Sequence, residues 1–328
     1  MPTRLLSLLF LTIGLVYAGQ DEAEQWHCSL TGPGKLRREL YPIRPTFDDW
    51  TTSEISKKAL PIDDETFRSV KILNDTTRRV LGAPDGVVSL EGFYPNGSYT
   101  FTHTPRGGYS FYAPGPEDVD LTTAKEATFA YTVLFPEGYE WVKGGKLPGF
   151  CTYMHSSLTS SPIRLILGSA VGGSDFDNST NCSGGRKATD CFSVRLMWRR
   201  EGMGEFYTYL PPFTVPGYEA NEVQCDVPPY SECNPDYGNS IGRGAFNFTS
   251  GERGAVAMRV LLNDAGEANG ELELWYNGES VIGLGGLIIR DSDEGRFRGL
   301  MMQTFFGGKG PRPTLKPYSP ILTPVVNR

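Results

Sequence analysis

Between Cys191 and Pro211 the side chains alternate with a period of two on both sides of a glycine-bearing turn, which commits the stretch to a two-stranded antiparallel ribbon. In the first arm Phe192, Val194, Leu196 and Trp198 form an apolar face, while Ser193, Arg195, Met197 and Arg199 take the other. The stretch from Arg200 to Gly204 supplies the turn, and Tyr207 and Tyr209 alternate with Phe206, Thr208 and Leu210 in the second arm. A turn centred near Gly202 sets Arg195 opposite Tyr209 and Met197 opposite Tyr207. Ser193, Arg195, Tyr207 and Tyr209 then share one face, and a slip of one residue would scatter them.

Such a face has a definite chemistry. A tyrosine hydroxyl ionises near pH ~10 in water, and a guanidinium a few ångströms away favours the phenolate, so the expected effect of Arg195 is to lower that value. A tyrosine base beside fixed cations suits proton abstraction next to a carboxylate. In a uronic acid the C5 hydrogen is such a proton, and the charge that develops on the carboxyl group is one that Arg or Lys stabilises. Taken alone, Tyr and Arg are also ordinary strand residues.

Composition narrows the setting. Residues 1–18 combine Arg4, an apolar run from Leu5 to Val16 and a small residue at Ala18, the pattern of a secretory signal peptide. No later stretch approaches the roughly 18 apolar residues of a membrane span, so a secreted, extracellular protein without membrane association is expected. In an oxidising compartment the close pairs Cys182 with Cys191 and Cys225 with Cys233 read as two local disulfides, each around a turn-rich loop. Cys28 and Cys151 are left over and could join the N-terminal segment to the body. Cys-x-x-Cys spacing is missing and His27, His103 and His155 are the only histidines, so no metal and no cofactor are expected. His103 is expected as an ordinary strand residue. Sequons at Asn74, Asn96, Asn178, Asn181 and Asn247 are candidate glycosylation sites. A net charge of −7 without a long basic run argues against nucleic acid as a partner, while a local basic groove could still take an anionic polymer. A monomer is expected.

Beyond residues 19–85, a polar segment with a short helix expected around Asp63 to Val80 and read as packing on the main body, the chain turns to strands. Val87 to Leu90, Tyr99 to Thr102, Tyr109 to Tyr112 and Ala127 to Phe135 follow one another between Pro, Asn and Gly turns. Asn277-Gly278 between two apolar runs marks a tight hairpin. Many short strands, 39 glycines and 24 prolines predict an all-β, antiparallel β-sandwich over residues 86–308 whose concave face forms a groove for an extended chain.

Three ordered motifs resemble the family 14 polysaccharide lyases: Lys143-Gly144-Gly145-Lys146-Leu147-Pro148-Gly149, Ser193-Val194-Arg195-Leu196-Met197-Trp198-Arg199, and Tyr207-Thr208-Tyr209-Leu210-Pro211. Asn239 to Gly244 and Gln303 to Gly308 support the likeness, which runs from about Tyr94 to Gly308. The resemblance implies a jelly-roll, concanavalin-like sandwich that cleaves alginate or glucuronan by β-elimination. It also implies a site of Lys146, Ser193, Arg195, Tyr207 and Tyr209, with the acidic polysaccharide as partner. Lys146 is preferred to Lys143 because Leu147-Pro148-Gly149 follows it; Lys143 and Arg243 are carried as substrate contacts. Two stretches depart from the pattern. Cys151 to Ala170 intervenes before Val171-Gly172-Gly173, as a loop over the groove or as untranslated sequence carried into the protein. Residues 309–328 are Pro-rich and basic where the family has a closing strand, whose loss would expose a sheet edge. Two rivals stand beside the lyase: a retaining glycoside hydrolase using Glu271 and Glu273, whose Cα atoms lie about 6.5–7 Å apart on one strand face, and a non-catalytic carbohydrate-binding protein.

Overall fold

The computed structural model describes residues 48–54, 56–153 and 182–308, together with the backbone of 321–327. The N-terminal region contributes two strands, β1 (Asp49–Thr51) and β2 (Arg78–Gly82), and one short helix, α1 (Asp64–Phe67). Asp63 caps α1 by accepting the Thr66 N–H at 2.8 Å, and the helix ends at Arg68, whose φ of 49° is left-handed. The helix expected from Asp63 to Val80 is thus a single turn, and its distal end belongs to β2.

The body follows as β3 (Val88–Gly92), β4 (Tyr109–Ala113), β5 (Glu126–Leu134), β6 (Gly145–Tyr153), β7 (Ser193–Trp198), β8 (Gly204–Tyr209) and β9 (Asn239–Ile241). It closes with β10 (Arg253–Leu261), β11 (Gly270–Tyr276), β12 (Glu279–Leu287), β13 (Arg296–Phe306) and β14 (Ile321–Asn327). These form two antiparallel sheets, one in the order β12-β11-β10-β5-β14-β3-β2 with β1 on β14, the other β4-β13-β6-β7-β8-β9. The all-β sandwich is as expected. Tyr99 to Thr102 is not a strand but part of a turn, in which the His103 ring stacks on Tyr99 at 4.1 Å between centroids. Four alternating residues are too few to separate a strand from a loop.

β14 lies between β3 and β5 and pairs with β5 from Ile321↔Leu134 to Asn327↔Thr128. The proline-rich tail therefore closes this sheet, and the open edge expected there does not arise. At the other end of the same sheet Asn277 and Gly278 take φ of 51° and 86°, the two left-handed positions of a tight hairpin joining β11 to β12.

The core lies between the sheets. Phe129, Tyr131 and Val133 of β5 meet Val194, Leu196 and Trp198 of β7, with Phe150, Phe206 and Phe306 around them. Trp198 is fully buried, edge-on to Phe135 and stacked near Tyr94. Each such buried side chain contributes roughly 1.5–3 kcal/mol. Because the even residues of β7 go inward, the odd ones face out of the sandwich, and the same alternation, broken by register shifts in β6 and β13, sets the outer face of the second sheet.

Candidate active site

The hairpin β7–β8 pairs Ser193 with Tyr209, Arg195 with Tyr207 and Met197 with Glu205. This differs by two residues from the expected register. Glu201 and Gly202 both adopt left-handed φ, and the Arg199 N–H donates to Met203 O at 2.7 Å, which centres the loop on Glu201. A shift of two keeps every side chain on its face, so the grouping of Ser193, Arg195, Tyr207 and Tyr209 survives.

β6 adds Lys146 to that face, opposite Met197. The Lys146 Nζ donates to Met197 Sδ at 2.7 Å and sits 3.0 Å above the centre of the Tyr207 ring. Gly149 explains the motif in which Lys146 stands: a Cβ there would lie 2.0 Å from Val194 O and 2.6 Å from Arg195 Cα. Only glycine lets β6 run this close to β7, and the register shift between Leu147 and Gly149 turns Lys146 and Cys151 to the same side. Across β6, Arg195 Nη1 donates to Gln303 Oε1 at 3.0 Å, and Gln303 Nε2 donates to Ser110 Oγ at 2.7 Å. The Tyr207 and Tyr209 rings meet edge to face at 5.7 Å.

Two backbone contacts hold the outer end of this group. Ser193 Oγ donates to Cys182 O at 2.8 Å, and the Gly185 N–H donates to Tyr209 Oη at 3.0 Å. Both partners lie in the loop closed by the Cys182–Cys191 disulfide; the second expected disulfide, Cys225–Cys233, is also formed. Cys151 carries a free, buried thiol 3.7 Å from Gly299 O, and burial pushes that thiol up to about 12. Cys28, its suggested partner, lies outside the described residues.

Burial dominates the electrostatics. Arg195 is 2% exposed, and its Nε–H has no hydrogen-bond partner among the described residues. Burial holds its proton affinity down, against the opposing pull of Tyr209 and Tyr207. Lys146 is pushed well below the usual lysine range, first by burial, then by Arg195 and Arg199, with Glu205 pulling the other way. Tyr207 is raised above the ordinary phenol, by burial and by Tyr209, and Arg195 and Arg199 only partly offset this. The expectation that the guanidinium would lower the phenol therefore fails at Tyr207, where desolvation outweighs the charge.

Glu205, which the sequence reading passed over, shares this face. Its carboxylate is wholly buried and accepts Arg199 Nε at 2.7 Å on Oε1, while Arg243 Nε at 2.8 Å and the Ser240 hydroxyl reach Oε2. The parity of 205, 207 and 209 was the available signal. Beyond Met197, Lys143, Arg199, Arg200 and Arg243 line a cleft of about 330 Å³. Lys143 stands before β6 with a left-handed φ of 60°. The paired carboxylates of the hydrolase reading lie elsewhere, on β11 in the opposite sheet. Arg259 Nη1 holds Glu271 at 2.8 Å, and Glu273 accepts the Ser280 hydroxyl at 2.8 Å. Asn74, Asn96 and Asn247 are exposed; Asn178 and Asn181 lie outside the described residues, as does the 1–18 segment.

A family model described as polysaccharide lyase 14 matches residues 83–161 and 167–312, which takes in the two hairpin strands and Lys146. This chain belongs to the polysaccharide lyase 14 family. Among solved structures, this lyase resembles the marine PL-14 alginate lyase from Aplysia kurodai at 24% identity and a TM-score of 0.65, covering 87% of this chain and 99% of that one. It resembles the alginate lyase vAL-1 from Chlorella virus at 20% identity and a TM-score of 0.57, covering 80% and 92%. Curated proteins give no sequence match. The match is interrupted at residues 162–166, inside the segment from Cys151 to Ala170.

Proposed function

We propose that this polysaccharide lyase is a secreted enzyme that cleaves a (1→4)-linked polyuronate, alginate or glucuronan, by β-elimination on the outer face of β6, β7 and β8. The observation that carries the reading is the buried Arg195, whose Nε–H has no partner among the described residues, set on one face with Lys146, Tyr207 and Tyr209. A substrate carboxylate offers that donor the acceptor it lacks. Arg195 neutralises the charge that grows on the carboxyl group as C5 loses its proton. Tyr207, kept as a phenol by burial, gives a proton to the leaving glycosidic oxygen, and Tyr209 takes the C5 proton. Ser193 positions the group by holding the Cys182 loop against it.

Lys146 joins the neutralisation only when substrate is present. Burial and two neighbouring guanidiniums weaken its hold on a proton, and an arriving carboxylate strengthens that hold. Substrate binding should therefore be accompanied by proton uptake, which calorimetry in buffers of different ionisation enthalpy would register. The two similar solved structures are alginate lyases, so alginate is the first polymer to test, with glucuronan beside it. The assay is the ultraviolet absorbance of the unsaturated product. Silence on both polymers across a range of pH would remove the proposal, and reducing ends released without that absorbance would indicate hydrolysis.

A further inference from the structure

Tyr207 and Tyr209 stand on the outer face of β8, where an open sheet would leave their rings to solvent, yet they are only 7% and 3% exposed. Two loops from outside the hairpin press on them, and neither supplies a side chain to the chemistry proposed above. The first is closed by Cys182–Cys191 and tied to β7 by the Ser193 hydroxyl, which donates to Cys182 O. Within it Gly184 and Gly185 take φ of 63° and 90°, two consecutive left-handed positions, and the Gly185 N–H donates to Tyr209 Oη at 3.0 Å. A backbone donor cannot swing away as a side chain can, so this bond fixes where the phenol oxygen stands.

The second loop leaves the Cys225–Cys233 disulfide and runs from Asn234 to Gly238. Glu232 and Ser240 close it by exchanging backbone hydrogen bonds of 2.8 and 2.9 Å, and Asn234 Oδ1 accepts the N–H groups of Asp236 and Tyr237, both at 2.9 Å. A Cβ on Gly238 would lie 2.5 Å from Tyr209 Cε2, 2.7 Å from Tyr207 Cε1 and 2.8 Å from Thr208 O. The backbone there therefore lies against both tyrosine rings at once, which only glycine permits. The two loops also hold each other. Lys187 Nζ donates to Asn234 O, and a Cβ on Gly185 would lie 2.8 Å from Asp236 O. Each loop is thus anchored beside a disulfide, each touches the tyrosine pair, and one cation joins them.

We infer that the two loops form one clamp that sets the reacting geometry of Tyr207 and Tyr209, with Gly185, Gly238 and Lys187 as positioning residues. The inference rests on the proposed proton transfers by these tyrosines. Gly185 holds the Tyr209 oxygen by its N–H, Gly238 holds both rings by the closeness of its backbone, and Lys187 keeps the two loops in register. Such residues act on rate rather than on affinity, because a displacement of about 1 Å at a reacting group costs on the order of 10²-fold in turnover while leaving binding contacts elsewhere intact.

The test compares the wild-type protein with Gly185→Ala, Gly238→Ala, Lys187→Gln and Gly184→Ala. Turnover of alginate and glucuronan gives kcat and KM. Carbon-13 NMR of protein labelled at the tyrosine Cζ, with the two signals assigned through Tyr207→Phe and Tyr209→Phe, reports the ring environments without needing turnover. The expected result for Gly185→Ala and Gly238→Ala is a kcat lower by about 10²-fold, KM little changed and displaced Tyr207 and Tyr209 signals. Lys187 is only half-buried, so Lys187→Gln keeps the fold even if Gly238→Ala does not, and it should lower kcat about three- to ten-fold. Gly184→Ala, whose Cβ would meet only Arg186 at 3.8 Å, should match wild type in both readouts. Wild-type kcat in both Gly185→Ala and Lys187→Gln, or losses confined to KM, would overturn the clamp while leaving the lyase reading in place. Wild-type protein that gives no unsaturated product, with tyrosine signals that still move in Gly185→Ala and Lys187→Gln, would overturn the lyase reading and keep the clamp. No product and unmoved signals would overturn both.

Discussion

Glu205→Gln isolates the electrostatic anchor beneath the site. Glutamine has almost the same volume, so no cavity forms, and the change is confined to charge and donor pattern. The native carboxylate accepts Arg199 twice on Oε1, at 2.7 and 2.5 Å, and Arg243 on Oε2 at 2.8 Å together with the Ser240 hydroxyl. A glutamine retains one acceptor oxygen for one guanidinium and turns an NH₂ toward the other, donor against donor. Breaking a buried ion pair from one side costs about 3–5 kcal/mol. At roughly 2–4 °C per kcal/mol, less for a chain of this length, the Tm should fall by roughly 5–15 °C. The change has a second readout, because Glu205 is the group that raises the Lys146 proton affinity. Its loss lowers that affinity further, so proton uptake by Lys146 on binding oligouronate should move to lower pH. Scanning calorimetry measures the first effect and buffer-dependent titration calorimetry the second. A Tm within ~1 °C of wild type would refute the claim that this carboxylate holds the two guanidiniums in place.

Lys146→Met should stabilise the ligand-free protein by about 1–4 kcal/mol at neutral pH, because it removes an amine whose proton is disfavoured by burial and by two neighbouring guanidiniums. The sign follows from proton linkage. The folded chain binds the Lys146 proton less tightly than the unfolded chain, so wild-type stability rises with pH until the ordinary lysine value, near ~10.4, is passed. The advantage of the variant should therefore shrink between pH 7 and pH 10, and a gap that stays constant in paired denaturant titrations would contradict it. Gly149→Ala should cost about 1–3 kcal/mol, since its Cβ meets Val194 O and Arg195 Cα well inside contact distance. The same variant should lower kcat more than it weakens binding, by displacing Arg195; unchanged kcat would show that β6 yields without moving it.

Much of the site was legible because strand parity is a strong constraint. The alternation from Phe192 to Leu210 sorts core from outer face whatever the turn does, and a register error of two residues left Ser193, Arg195, Tyr207 and Tyr209 together. The same parity contains Arg199 and Glu205, but the burial of Glu205 depends on neighbouring strands and leaves no local mark. Gln303 reaches Arg195 across β6, a relation set by sheet order and invisible in local pattern. The direction of the Tyr207 shift was misjudged for a related reason: proximity of a cation can be read along a strand, whereas desolvation is a property of the assembled sheet. At the chain's end, prolines concealed a strand whose pairing with β5 supplies the order that local composition withholds.

The central claim is that the outer face of β6–β8 performs an elimination with its tyrosines. The most direct measurement is the rate at which alginate and glucuronan yield unsaturated ends with wild-type protein, Tyr207→Phe and Tyr209→Phe, with binding measured alongside. The account predicts turnover by wild type and a loss of about 10²–10⁴-fold in kcat for each variant, with affinity retained. Variants that turn over at the wild-type rate would contradict it.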